Sequence, residues 1–178
     1  MKKAILFIFS ILAISACSNE GNKHIQEFVM PSSESKYTSD LSLDLVIEDV
    51  SNPPKKPAVP AIVINTLKDA GILSAVNHTY SVGDLAIDAN LHLLAEPKVQ
   101  IEKLQKGLVT ELPEGMTLSV FEGIGDFATL SEYRSTLQTT SSITFIQQEY
   151  MITLTSPVDS ATLKSVATDY SSWLSKSL

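Results

Sequence analysis

Over residues 41–48 the chain alternates with a period of two. Leu41, Leu43, Leu45 and Ile47 fall on one side, and Ser42, Asp44, Val46 and Glu48 on the other. In an extended backbone this spacing puts the leucines on one face of a strand. Pro53, Pro54 and Pro57 then remove amide donors and bias the residues before them away from helix, which predicts a loop. Beyond it the period becomes helical. Pro60 suits a first turn, Val63, Ile64, Leu67 and Ala70 recur at helical spacing, and Gly71 stands where a left-handed C-terminal cap is needed. A helix is predicted from about Pro60 to Ala70.

Residues 72–80 predict a short strand, and Ser81-Val82-Gly83-Asp84 a turn. After the turn, Leu85, Ile87, Ala89, Leu91 and Leu93 share one face of a long strand, while Asp84, Ala86, Asp88, Asn90 and His92 share the other. One apolar and one polar face is the mark of an antiparallel sheet with a solvated side. Residues 97–111 carry two competing patterns. Val99, Ile101, Leu104 and Leu108 make a helical stripe, Leu108, Thr110 and Leu112 alternate, and Pro113-Glu114-Gly115 ends either element.

Residues 117–121 predict another strand, with Gly123-Ile124-Gly125 as its exit loop. Thr129-Leu130-Ser131-Glu132 matches a capping box, and Leu130, Tyr133, Arg134 and Leu137 continue along one side, predicting a helix that ends near Thr139. Apolar positions at 143 and 145 change phase to 150, 152 and 154, so a bulge or tight hairpin is expected at Gln147-Gln148-Glu149. Asp159 caps a last helix carrying Leu163, Val166, Ala167, Tyr170, Trp173 and Leu174 on one face. Together these elements predict one α+β domain over residues 40–178. Its helices are expected on one face of a mostly antiparallel sheet, in an order that allows two βαββ-like halves.

The first seventeen residues belong to a different class. Lys2 and Lys3 form a positive start, residues 4–14 are apolar except for Ser10, and Ser15-Ala16 place small side chains before Cys17, the chain's one cysteine. The apolar run is too short to cross a bilayer, so residues 1–16 read as a cleaved signal peptide. Ile14-Ser15-Ala16-Cys17 resembles a bacterial lipobox, with Ile14 where Leu is usual; the resemblance implies acylation of the Cys17 thiol and cleavage before it. A lone cysteine in a secreted chain cannot make an internal disulfide, and lipidation accounts for it. Residues 17–39 turn polar and read as the lipidated cysteine and a flexible tether, touching the fold through Ile25, Phe28 and Val29. Ser18 follows the cysteine where an Asp would resemble an inner-membrane retention signal. That tilts the expectation towards the outer membrane, facing the periplasm, in a host that has one.

Charge narrows the partners. The chain of 178 residues carries −7, and removing Lys2 and Lys3 with the signal takes it to about −9, without a basic cluster. Nucleic acid is therefore an unsuitable partner, as is anionic lipid bound through charge alone. The sharpest candidate chemistry lies on the polar strand face, where Asp84, Asp88, Asn90 and His92 would bind a metal or share protons if they converged. Along a flat strand they spread by about 7 Å per pair of positions, which favours a solvated face. His78 is the other histidine of the domain, and His24 lies in the tether. Gly123-Ile124-Gly125 lacks the third glycine of a dinucleotide turn and the GK[ST] of a P-loop. Tyr170 and Trp173 fit a partner anchor less well than a core stripe.

Leu67-Lys68-Asp69-Ala70-Gly71-Ile72-Leu73, followed by Val82-Gly83-Asp84-Leu85-Ala86-Ile87, is similar to the α/β domain of small lipoproteins that assist envelope transport and assembly. That resemblance implies a lipid-anchored binding or assembly-accessory module with an envelope protein as partner. No catalytic residue, cofactor or metal is expected. A periplasmic small-molecule binder is the alternative, followed by a hydrolase of envelope polymers acting near Asp84, Asp88 or His92.

Overall fold

The computed structural model describes residues 24–56 and 58–178. Seven strands and three α-helices follow one another as β1 (Leu41–Ile47), α1 (Ala61–Asp69), β2 (Ile72–Val82), β3 (Leu85–Leu94), α2 (Pro97–Leu108), β4 (Met116–Val120), β5 (Phe127–Arg134), β6 (Thr139–Gln147), β7 (Tyr150–Ser156) and α3 (Ser160–Ser177). The strands form one sheet in the order β1-β2-β3-β7-β6-β5-β4. Every pairing is antiparallel. The expected α+β class and antiparallel sheet are therefore observed.

The first half, β1-α1-β2-β3, is a βαββ unit. The second is not, because residues 129–139 form strand and turn instead of a helix. From the far edge, β4, β5, β6 and β7 meander back to pair with β3, and α3 closes the domain. The capping-box pattern at Thr129-Leu130-Ser131-Glu132 lies inside β5, whose residues pair with β4 on one side and β6 on the other. Two ladders of backbone hydrogen bonds outweigh a four-residue local signature.

Successive residues of a strand point to opposite faces, so the register assigns each core residue to one side. On the first side, Val76, Tyr80, Ile87, Ala89, Leu91, Ile143, Phe145, Ile152 and Leu154 pack with Leu163, Val166, Tyr170 and Leu174 of α3. Ile25, Phe28, Val29 and Met30 complete that core. Residues 24–39 thus lie against the domain, through the 3-10 turn Ile25–Phe28, where the sequence places a tether making occasional contact. Tyr80 Oη donates to the Met30 carbonyl at 2.6 Å and Tyr170 Oη to the Phe28 carbonyl at 3.0 Å, which satisfies both fully buried phenols. On the second side, Ile47, Ala75, Leu94, Ile146 and Met151 pack against Ile64 and Leu67 of α1 and Ile101 and Leu104 of α2. The helices therefore cover both faces of the sheet, not one. A chain passing from β3 in the sheet interior to β4 at the far edge needs α2 as a crossover, and α2 brings its own apolar stripe.

Several local readings hold. Gly71 has φ +73° just after α1, Pro97 opens α2, and the Asp159 carboxylate accepts from the Thr162 amide at 2.9 Å as the cap of α3. Residues 97–108 are helix, and the phase change near Gln148 is a tight hairpin, with φ +53° at Gln148. β1 departs from expectation. A bulge at Asp44 shifts its register between Leu43 and Leu45, so Leu41 and Val46 face the first core while Leu45 and Ile47 face the second. Leu43 is left half exposed.

Candidate functional site: an open polar half of the sheet

The second face is apolar only at one end. There α1 and α2 cover the row Ala75, His92, Met151 and Ile146, which are aligned across β2, β3, β7 and β6. The next row is Asn77, Asn90, Thr153, Thr144 and Thr129, and the row after it Thr79, Asp88, Thr155, Ser142 and Ser131. From β2 to β5 these rows carry no large apolar side chain, and only at the sheet edges do they end on Leu45 of β1 and on Val120 and Leu118 of β4. Exposure rises outward, from buried Thr129 and half-buried Asn90 and Thr153 to exposed Asp88.

Hydroxyl and amide groups in this field satisfy one another across the strands. Asn77 Nδ2 donates to Asn90 Oδ1 at 3.1 Å. The hydroxyls of Thr144 and Thr153 lie 3.1 Å apart, and those of Ser142 and Thr155 3.0 Å. Thr79 Oγ1 donates to the Asp44 carboxylate at 2.7 Å, so the bulge that disrupts β1 also brings Asp44 over the field. Such pairs hold the side chains in fixed rotamers while leaving spare lone pairs towards solvent.

The residues singled out by sequence are dispersed. Asp84 lies exposed in the β2–β3 turn, Asp88 and Asn90 lie in the polar field, and His92 lies at the covered end, opposite Met151. They do not converge on a point, and among the described residues no group of three or more His, Cys, Asp and Glu side chains is placed to hold a metal ion. The expectation of a fully solvated face fails at His92. Its Nδ1 is sealed from water without a hydrogen-bond partner, and burial pulls its pKa down to about 4.

His78 lies on the opposite face and is wholly buried, edge-on to Tyr80 with ring centroids 5.2 Å apart and 6.1 Å from Tyr170. Desolvation pulls it down to about 4 as well, with Asp44 and the Val76 carbonyl opposing weakly. That carbonyl falls short of hydrogen-bond geometry, and neither ring nitrogen has a partner. His24 is exposed and pairs with Glu48 at 3.6 Å, while Glu48 Oε2 accepts the Ile25 amide at 3.1 Å.

The Gly123-Ile124-Gly125 loop is occupied by its own fold. Gly125 has φ +55°, its amide donates to Ser171 Oγ at 3.2 Å, and a Cβ there would run into the Ile146 carbonyl. Gln147 bridges the same Ser171 and Ser175 of α3 at 2.7 and 2.6 Å. Tyr170 and Trp173 pack edge to face, with ring centroids 6.0 Å apart, within the first core, where Tyr170 is buried and Trp173 partly so. Cys17, the lipidation candidate, lies outside the described residues. Among those residues, no helix is long and apolar enough to cross a membrane.

Sequence reasoning missed the polar field as a unit. Its Thr and Ser residues come from β2, β5, β6 and β7, and their alignment exists only once the strand order is known.

The chain matches no protein-family model and no curated protein. Among solved structures it is similar to the extracellular domain of PknH from Mycobacterium tuberculosis, with a TM-score of 0.52 and 9% identity, over 85% of this chain and 94% of that one. At this identity the likeness establishes the fold alone.

Proposed function

We propose that this chain is a lipid-anchored bacterial envelope protein whose domain docks another protein in a transport or surface-assembly complex, without catalysing a reaction. The anchor is Cys17, acylated after removal of residues 1–16, and Ser18 favours delivery to the outer membrane of a host that has one. The observation that supports docking is the open half of the sheet. Asn90, Thr153 and their neighbours remain part exposed and hydrogen-bonded across the strands, beyond the end of the sheet that α1 and α2 cover. Occurrence of the same fold in an extracellular domain is in keeping with an envelope location.

In-cell photo-crosslinking tests this reading. A photoreactive residue at Asn90 or Thr153 is expected to trap a reproducible protein partner, and one at exposed Ser172 of α3 is not. No adduct from either sheet position, or equal adducts from all three, would contradict it.

A second reading has its own observation. An open groove of about 540 Å³ runs between the chain near Tyr37 and α3, lined by Glu34, Lys36, Lys164, Ser165 and Asp169. Opposite charges side by side suit a small zwitterionic ligand. Thermal shifts across a panel of such metabolites, lost in Lys164→Ala, would favour that reading over docking.

A further inference from the structure

The two edges of the sheet are finished differently. β1 carries its bulge and the Asp44 carboxylate, and a bulged, charged edge is a poor template for another strand. β4 has neither device. It is five residues without charge or proline, in unbroken register with β5 from Met116↔Tyr133 to Val120↔Thr129.

The flanking hydrogen bonds fix which backbone groups of β4 are free to pair outward. Arg134 N–H donates to the Gly115 carbonyl and Phe121 N–H to the Ala128 carbonyl, both at 2.9 Å. In an antiparallel ladder, hydrogen-bonded pairs alternate with non-hydrogen-bonded ones, so Thr117 and Ser119 also bond to β5. The N–H groups of Leu118 and Val120 and the carbonyls of Met116, Leu118 and Val120 then point away from the sheet. Met116 N–H is taken by the Pro113 carbonyl at 3.0 Å. Apolar surface accompanies these open groups, since Val120 and Tyr133 are each half exposed.

Charge selects the occupant. Exposed Glu114 precedes β4 and exposed Glu122 follows it. Two copies paired antiparallel about Leu118 would set Glu114 of each opposite Glu122 of the other, and like charges facing across strands are unfavourable. A foreign strand with basic ends would instead gain both contacts.

We propose that the β4 edge captures an extended segment of the partner protein as an eighth strand. That segment has apolar side chains at alternate positions, to meet Met116, Leu118 and Val120, and Lys or Arg at both ends, to meet Glu114 and Glu122. This deepens the docking reading and rests on it.

The test uses the full chain in detergent with two synthetic peptides of about nine residues, in which alternating threonine and valine are flanked by lysine at both ends in one and by glutamate in the other. N-methylation along one edge keeps each peptide from stacking on itself. The lysine-ended peptide is expected to bind about tenfold more tightly, the scale of two exposed ion pairs against two like-charge contacts. It should slow hydrogen exchange at the Leu118 and Val120 amides. Glu114→Lys with Glu122→Lys should reverse the preference, and Val120→Pro, which removes one outward N–H without touching the β5 ladder, should abolish binding. Equal affinity for both peptides, unchanged exchange at Leu118 and Val120, or undiminished binding by Val120→Pro would overturn the assignment. If Asn90 and Thr153 still trap their partner in cells carrying Val120→Pro, the edge assignment fails while docking stands. Absence of that partner in wild-type cells removes docking itself.

Discussion

Acid should weaken this fold earlier than its carboxylates require, because His78 and His92 are held neutral. Each is pulled from 6.5 to about 4 in the folded chain, mainly by desolvation. Between those values the unfolded state binds more protons, so stability falls as pH drops through the window and is fully regained above about 6.5. Going from about pH 7 to about pH 5, linkage with these values removes about 2 kcal/mol per histidine. For a domain of this size that lowers Tm by about 4–8 °C for each. The assay is urea and thermal unfolding at both pH values for the wild type, His78→Phe, His92→Leu and the double variant. Phenylalanine alters the packing beside Tyr80 and Tyr170, so the quantity compared is the change between pH values, not stability at one pH. Each single variant should lose about half of the histidine-linked change, and the double variant most of it. A pH dependence unaltered in both single variants would refute the reasoning. Asp159, held below the usual carboxylate range by its bonds to Thr162, adds a separate loss only at lower pH, as it protonates.

Other predictions follow from the local geometry. Gly125→Ala forces a Cβ into the Ile146 carbonyl at positive φ and should destabilise by about 3 kcal/mol, measured by urea unfolding; Gly123→Ala, at φ +91° but facing open space, should lose only about 1 kcal/mol. Asp159→Ala removes the cap of α3, whose carboxylate also accepts from Thr162 Oγ1 at 2.6 Å, and should lower the urea midpoint, with Asp159→Asn recovering most of the loss.

Much of this architecture is legible in sequence because the relevant signals are local. Ile87, Ala89 and Leu91 announce a buried strand face by alternation alone, and all three are fully buried. Gly71 and Asp159 announce helix ends through chemistry that acts within four residues. What fails is non-local. Thr129 to Glu132 read as a helix start because nothing nearby reveals that β4 and β6 flank them. The bulge at Asp44 inverts the face assignment within β1, and its cause is pairing with Asn77 and His78, some thirty residues away. His92 appears solvated until α1 and α2 are laid over its end of the sheet. The candidate binding surface is the least legible part, since strand order alone decides that β4 is an edge and that Asn90 and Thr153 are neighbours.

Membrane attachment through Cys17 is the premise on which the envelope reading stands. Intact mass of the mature protein from cells, with membrane fractionation of wild type and Cys17→Ser, addresses it directly. The account predicts a chain beginning at Cys17 with the added mass of two or three acyl chains, recovered with membranes, and a Cys17→Ser chain that folds but is not so anchored. An unmodified Cys17 on a soluble protein, or a Cys17→Ser variant held as firmly by the membrane as the wild type, would contradict it.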